Sequence, residues 1–175
     1  MAVTPGLQIA STDRLIIRRL TLDDAAFILE LVNEPGWLRF IGDRNVHSLD
    51  DARGYLERGP MSLYPKFGFG FYRLETKPGG VPVGICGLIK REALEDVDIG
   101  FALLARHAGL GYALEAAKET VRHAREDLGL KRLAAITNPD NTRSIALLEK
   151  LGMRFERMFR LPADENDVRL FGMEL

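Results

Sequence analysis

Along this chain the apolar positions switch repeatedly between a strand-like and a helix-like period. Residues 14–20 are rich in isoleucine and leucine and predict a strand. Thr21 follows as an N-cap, with Asp24 in the first turn and an apolar stripe of Leu22, Ala25, Leu29 and Val32. Glu34-Pro35-Gly36 is expected to end that helix, because proline cannot continue it and disfavours helix in the residue before. Ser48 opens a second helix through about Arg58, stopped by Gly59-Pro60. The period then shortens: residues 67–74 and 81–89 predict two strands joined by the turn Lys77-Pro78-Gly79-Gly80, and 97–104 a third. An antiparallel meander is the simplest arrangement for this middle third.

The clearest helix starts near Gly109, where Leu110, Leu114, Ala117, Val121, Ala124 and Leu128 keep one face apolar until Gly129 caps it. Residues 130–137 predict a strand, 141–151 a short helix ending at Gly152, and 153–161 with 167–173 a closing hairpin. No repeat or linker divides residues 1–175, so the pattern predicts one mixed α/β domain.

Charge and cysteine content remove several function classes. A formal net charge of -1 gives no electrostatic case for nucleic acid or an anionic membrane. Arg14, Arg18 and Arg19 cluster, and are expected on a solvated strand face. With Cys86 as the only cysteine there is no intramolecular disulfide, and His47, His107 and His123 show no metal-ligand spacing. The start of the chain lacks the basic segment and apolar core of a signal peptide, and no apolar run approaches the ~20 residues that span a bilayer. These features predict a soluble, cytoplasmic protein without a metal.

Candidate chemistry concentrates in Arg106-His107-Ala108-Gly109-Leu110-Gly111-Tyr112-Ala113, between a strand and the long helix. A glycine-rich turn opening a helix leaves backbone N–H groups unpaired, and with the helix dipole they suit a phosphate. A tight turn with no ligand is the plainer alternative. The Walker pattern fails for want of Gly-Lys-Ser/Thr, and the dinucleotide pattern fails because Leu114 stands where its third glycine belongs. Further on lies the run from Asn138 to Met153, in which Asn141 and Ser144 share one side of a helix start. Asn141 also fits a simple N-cap, and both uses can hold at once.

These two segments resemble the motifs of the GNAT superfamily of N-acetyltransferases: the R/Q-x-x-G-x-G/A signature that holds the coenzyme A pyrophosphate, and N-x-x-N-x-x-S-x-x-L-x-E-K-x-G-F. Residues 12–18, Gly84-Ile85-Cys86-Gly87-Leu88 and Asp98-Ile99-Gly100-Phe101 are similar to the RimJ/RimL-type branch. The resemblance implies a mostly antiparallel seven-stranded sheet, splayed between two parallel central strands that are here residues 97–104 and 130–137. It implies acetyl-CoA as cosubstrate, contacted by Phe101, Ala102 and Leu103 along the first of these strands, by residues 106–113, and by Asn138, Asn141 and Ser144. The acceptor it implies is an amine, on a small molecule or a protein N-terminus, and it leaves room for a homodimer. Gly100 marks a bulge or a close backbone approach.

Direct attack by a neutral amine on the thioester needs a proton acceptor. Asp98 aligns with a glutamate used as base in some members, with a surface carboxylate beside Asp96 as the alternative; Glu92 is a second candidate. Leu148 stands where many members carry a tyrosine acid, which leaves Ser144 or water to protonate the thiolate. The rival function is a CoA-binding sensor without turnover. Cys86, in an apolar strand, reads as core rather than nucleophile. Acceptor contacts are expected from residues 33–44, including Trp37 and Phe40, and from 61–69, where the aromatics read as packing.

Overall fold

The computed structural model describes residues 6–175. In chain order the elements are β1 (Gln8–Ser11), β2 (Leu15–Arg19), α1 (Ala25–Leu31), α2 (Pro35–Phe40), α3 (Leu49–Arg58), α4 (Pro60–Phe67), β3 (Phe71–Thr76), β4 (Pro82–Ile89) and β5 (Asp98–Leu103). There follow α5 (Tyr112–Arg122), β6 (Arg132–Thr137), α6 (Thr142–Leu151), β7 (Arg154–Phe159) and β8 (Val168–Glu174). One eight-stranded sheet runs β1-β2-β3-β4-β5-β6-β8-β7. All neighbouring pairs are antiparallel except β5 with β6, which are parallel. The mixed α/β architecture is therefore the expected one, with one strand more than the expected seven.

Helices α1 and α3 end before Pro35 and Pro60, as expected, but each proline also opens a further helix. Pro35 and Pro60 occupy the first turns of α2 and α4. A first-turn residue has no intrahelical acceptor for its N–H, so proline loses nothing there. The strand expected from residue 67 therefore begins at Phe71, after Gly68 has closed α4 in a left-handed conformation at φ 79°. Ser48 caps α3 as expected, its Oγ accepting the Asp51 N–H at 3.0 Å. The long helix is regular only through α5; residues His123–Asp127 form a π-turn before Gly129.

The helices cover both faces of the sheet. On one face α5 and α6 pack Ala116, Ala117, Val121 and Leu148 against Leu15, Tyr72, Cys86, Ile99, Leu133 and Phe171. On the other, α1, α2 and α3 pack Ile28, Leu31, Trp37 and Leu56 over Leu20, Ile85 and Leu104, with Phe71 and Ala102 at the edge. Strand alternation gives Asp98, Gly100 and Ala102 to this second face and Ile99 to the first.

Of the arginine cluster Arg14 is exposed, as expected, but Arg18 is not solvated. Arg18 and Arg73 both bind Asp24, at 2.9 and 2.7 Å, and Asp24 is only 1% exposed. Both also reach Glu75, at 3.1 and 2.8 Å. Burial alone would raise the Asp24 pKa, but the Arg18 hydrogen bonds, the Thr21 N–H and the Arg73 charge outweigh it and hold the carboxyl below its ordinary value. Arg14 instead binds Glu115 at 2.9 Å, tying β2 to α5. Among the described residues no helix is long and apolar enough to cross a membrane.

Candidate functional site

The site begins where the sheet opens. β5 and β6 meet at the single register position Asp98 opposite Ala134, held by the Ala134 N–H donating to Val97 O at 2.9 Å. Beyond it they part. On its other edge β5 stays paired with β4 without interruption, from Gly84 opposite Leu103 to Ile89 opposite Asp98. Antiparallel pairing engages alternate backbone groups. The remaining ones, on Phe101 and Leu103, therefore face the gap and can bond an extended ligand as a further strand would, while those of Ala102 turn toward β4.

No bulge accompanies Gly100, since the β4–β5 register is unbroken there. Close approach is the reason for this glycine: an added Cβ would come 3.0 Å from Cε1 of Phe71, whose ring lies over the strand.

After β5 the chain passes through a 3-10 turn, Ala105–His107, into the glycine loop. Gly109 and Gly111 sit at φ 79° and 85°, in left-handed conformations that side-chain-bearing residues rarely adopt. The first hydrogen bond of α5 is Glu115 N–H to Gly111 O at 3.1 Å. Among the described residues, the N–H groups from Gly109 through Leu114 find no protein acceptor. This is the unpaired set that an anion at a helix N-terminus requires. Leu110 is 54% exposed, and its carbonyl accepts Arg14 Nη1 at 2.9 Å. His107 Nε2 is buried with no partner. Arg106 is turned away onto Glu30, an ion pair to α1.

The second segment meets the first. Arg143, in the first turn of α6, lies with Nη2 3.7 Å from where a Cβ on Gly109 would stand. Asn141 is the N-cap, its Oδ1 accepting the Ser144 N–H at 3.2 Å, and Asn138 Oδ1 accepts the Asp140 N–H at 2.8 Å. Both carboxamide oxygens therefore serve local turns, and their NH₂ groups are the donors left for a ligand. The half-buried Ser144 hydroxyl bonds no other described residue. Leu148 is 1% exposed inside the α5–α6 core, so its position belongs to packing.

Asp98 is not a surface carboxylate. It is 2% exposed at the start of β5, and Arg91 Nε lies 3.3 Å from Oδ1 and 3.4 Å from Oδ2. Only the Oδ2 contact has hydrogen-bond geometry, so Oδ1 is buried without a partner. Burial raises the Asp98 pKa, the Arg91 charge opposes it, and the result is about 6. A carboxylate poised there accepts protons far more readily than an exposed one. Asp96 by contrast is bound to Arg132 at 3.0 Å, and Glu92 is exposed in the turn after β4. Asp98 and the glycine loop stand at opposite ends of β5, about 17 Å of strand apart. A ligand anchored at the loop has to be long and extended to bring a reacting group near Asp98.

Cys86 is fully buried beneath α5, 3.3 Å from Thr120 Oγ1, and burial pushes its thiol up to about 12, which suits core packing. Trp37 is also buried in the helical layer, as the packing expectation had it. Sequence reading did not single out Arg143, Arg91 or Phe71. Arg143 stands between two residues already chosen, and its place after Asn141 was the available signal. Arg91 and Phe71 reach the site only through strand pairing.

A family model described as an acetyltransferase (GNAT) domain matches residues 14–154. An "Uncharacterized N-acetyltransferase YoaA" of Bacillus subtilis (strain 168) is 29% identical over 154 residues, 87% of this chain and 86% of the relative. Among solved structures, an acetyltransferase from Agrobacterium tumefaciens str. C58 superposes with a TM-score of 0.79 at 24% identity, covering 99% of this chain and 96% of that one. An apo structure of RimL, a ribosomal L7/L12 alpha-N-protein acetyltransferase, superposes with a TM-score of 0.82 at 17% identity, covering 99% of each chain. These structural likenesses concern the fold.

Proposed function

The chain belongs to the GNAT acetyltransferase family and is an N-acetyltransferase, and on that premise we propose that it moves an acetyl group from acetyl-CoA to a primary amine by direct attack on the thioester. The observation that carries this reading is the order of three features along one strand, β5. They are the unpaired N–H groups of residues 109–114 after its C-terminal end, its open edge, and the buried carboxyl of Asp98 at its start. A molecule with a diphosphate, an extended amide-bearing arm and a terminal thioester matches those features in that order.

The glycine loop binds the diphosphate through backbone N–H groups and the α5 dipole, with Arg143 beside it. The free edge of β5 at residues 101–103 orients the arm. Acetyl-CoA supplies an activated acyl group there. A backbone N–H of the same stretch is placed to hold the carbonyl oxygen as it gains charge. Asp98, directly or through a water, accepts the proton that the amine must lose. The new bond is N–C, the broken bond is C–S, and the thiolate takes a proton from Ser144 or from solvent. The RimL-type neighbour acts on a ribosomal protein N-terminus; for this chain a protein N-terminus and a small amine both fit this chemistry.

Calorimetric titration of acetyl-CoA tests the placement. Gly109→Val and Gly111→Val should each weaken binding while α5 stays folded by circular dichroism. A folded Gly111→Val variant that binds as tightly as the wild type refutes the loop as the diphosphate site.

A further inference from the structure

A second concavity lies away from the glycine loop, between the α2–α3 connection and one side of α3. Its volume is about 340 Å³, and Arg44, Val46, Asp51, Tyr55, Arg58 and Gly59 line it. Asp51, Tyr55 and Arg58 follow one another along the same side of α3, next to the face that buries Ala52 and Leu56. Val46 and Tyr55 form the apolar floor and belong to the cluster that includes Ile85, Phe71 and Ala102.

The charge of this concavity is unbalanced. Among the described residues neither guanidinium makes an ion pair. The one carboxylate, Asp51, is already engaged at the helix start, where it accepts the His47 N–H at 2.9 Å. The Tyr55 phenol is pushed up by burial, with the Arg44 charge opposing, so it stays a neutral donor. Gly54 has a local role: a Cβ there would meet Arg58 Nη1 and Nη2 at 2.9 Å. The guanidinium thus lies back over its own helix, across a position where glycine costs roughly 1 kcal/mol relative to alanine. Two planar forks and a phenol lining one cavity are donors suited to an oxyanion, and the cavity leaves room for the rest of the molecule that carries it.

We propose that Arg44 and Arg58 recognise an oxyanion, carboxylate or phosphate, carried by the acceptor amine. The assignment to the acceptor rests on the acetyltransferase reading. It follows from the side of the sheet involved: the concavity is built on the helices that cover the face of Asp98, Gly100 and Ala102. The acceptor class is then an amine bearing an anionic group, such as an amino acid or a peptide end rich in carboxylates.

Two measurements separate this proposal from the reading beneath it. The first needs no turnover: glutarate and inorganic phosphate are titrated calorimetrically into wild type and Arg44→Met/Arg58→Met. At least one probe should bind the wild type, and the double variant should bind it at least tenfold more weakly. Equal binding, or none to a folded wild type, overturns the site. The second compares KM for ω-amino acids of increasing length with KM for their amides. For at least one length the free carboxylate should lower KM at least tenfold. Arg58→Met and Gly54→Ala should raise that KM toward the amide's, with kcat and acetyl-CoA affinity unchanged. Gly54→Ala keeps both arginines and improves the helix, so its effect cannot come from unfolding. Probe binding without any carboxylate preference in KM overturns the acceptor assignment. Absence of turnover with every amine counts against the acetyltransferase reading, while the titration still decides the site.

Discussion

Arg91 Nε stands 3.3 Å from Oδ1 of Asp98, near enough to attract the carboxylate but without the alignment to bond that oxygen. Burial therefore prevails and pushes the Asp98 carboxyl up to about 6. Wild-type turnover should rise with pH through that value as the carboxylate becomes able to accept a proton. Asp98→Asn should retain acetyl-CoA affinity and lose turnover by ~10²–10⁴-fold, with partial recovery at high pH where the amine arrives neutral. Near-wild-type rates for this variant across the pH range would take Asp98 out of the mechanism.

The same carboxyl affects stability in the opposite sense. Its folded pKa lies above its unfolded value, so the folded state binds the extra proton between about 4 and about 6. Its favourable contribution is complete below the unfolded pKa and is lost as pH rises through the folded one. Above that window the buried charge costs on the order of 3 kcal/mol, at about 1.4 kcal/mol per pKa unit. Asp98→Asn should therefore melt higher than wild type at pH 8, with the difference gone at pH 4. Thermal melts at the two pH values check this, and a variant less stable at pH 8 contradicts it.

Asp24 presents the reverse case, a buried carboxylate held by Arg18 and Arg73 and kept below its ordinary pKa. Asp24→Asn leaves two guanidiniums with less than their former partner, and should destabilise by roughly 3–5 kcal/mol, as breaking a buried pair does. In wild type this contribution is present above the unfolded pKa and fades as pH falls through the depressed folded one. Denaturant midpoints at neutral pH measure the loss.

Asn141 and Ser144 separate by what each mutation changes. Asn141→Ala removes an N-cap, at ~1 kcal/mol of stability, together with any hydrogen bond its NH₂ donates to the cosubstrate. Ser144→Ala leaves the cap intact, because only the Ser144 backbone N–H takes part in it. If its hydroxyl protonates the thiolate, kcat falls more than acetyl-CoA affinity does. Equal losses make it a positioning residue. Arg143→Ala should weaken acetyl-CoA binding and leave the melting temperature unchanged, since Arg143 is exposed and the described residues give it no ion pair.

The elements that were legible in the sequence are those whose period is long and whose ends are marked. Residues 98–103, 132–137 and 142–151 fall inside their predicted spans, because apolar alternation or an apolar stripe runs up to Asn141 or Gly152. The four residues of β1 are too few to display a period, and Pro35 and Pro60 carry the same signal whether a helix ends before them or begins at them. The glycine loop was legible because its chemistry is local to the backbone. Asp98 was found as a residue, but its burial was not, since that depends on Ala134 pairing across the sheet and on the Leu94, Ala134 and Leu170 cluster nearby. Arg18 of β2 misled for a similar reason: its partner Glu75 lies on β3.

Catalysis is measured as release of free thiol from acetyl-CoA in the presence of a panel of amines, with the acetylated product weighed by mass spectrometry. Thiol and N-acetyl product are expected in equal amounts for at least one amine, with a strongly reduced rate for Asp98→Asn at neutral pH. Tight acetyl-CoA binding with no amine-dependent thiol from wild type would contradict catalysis and mark the protein as an acyl-CoA sensor.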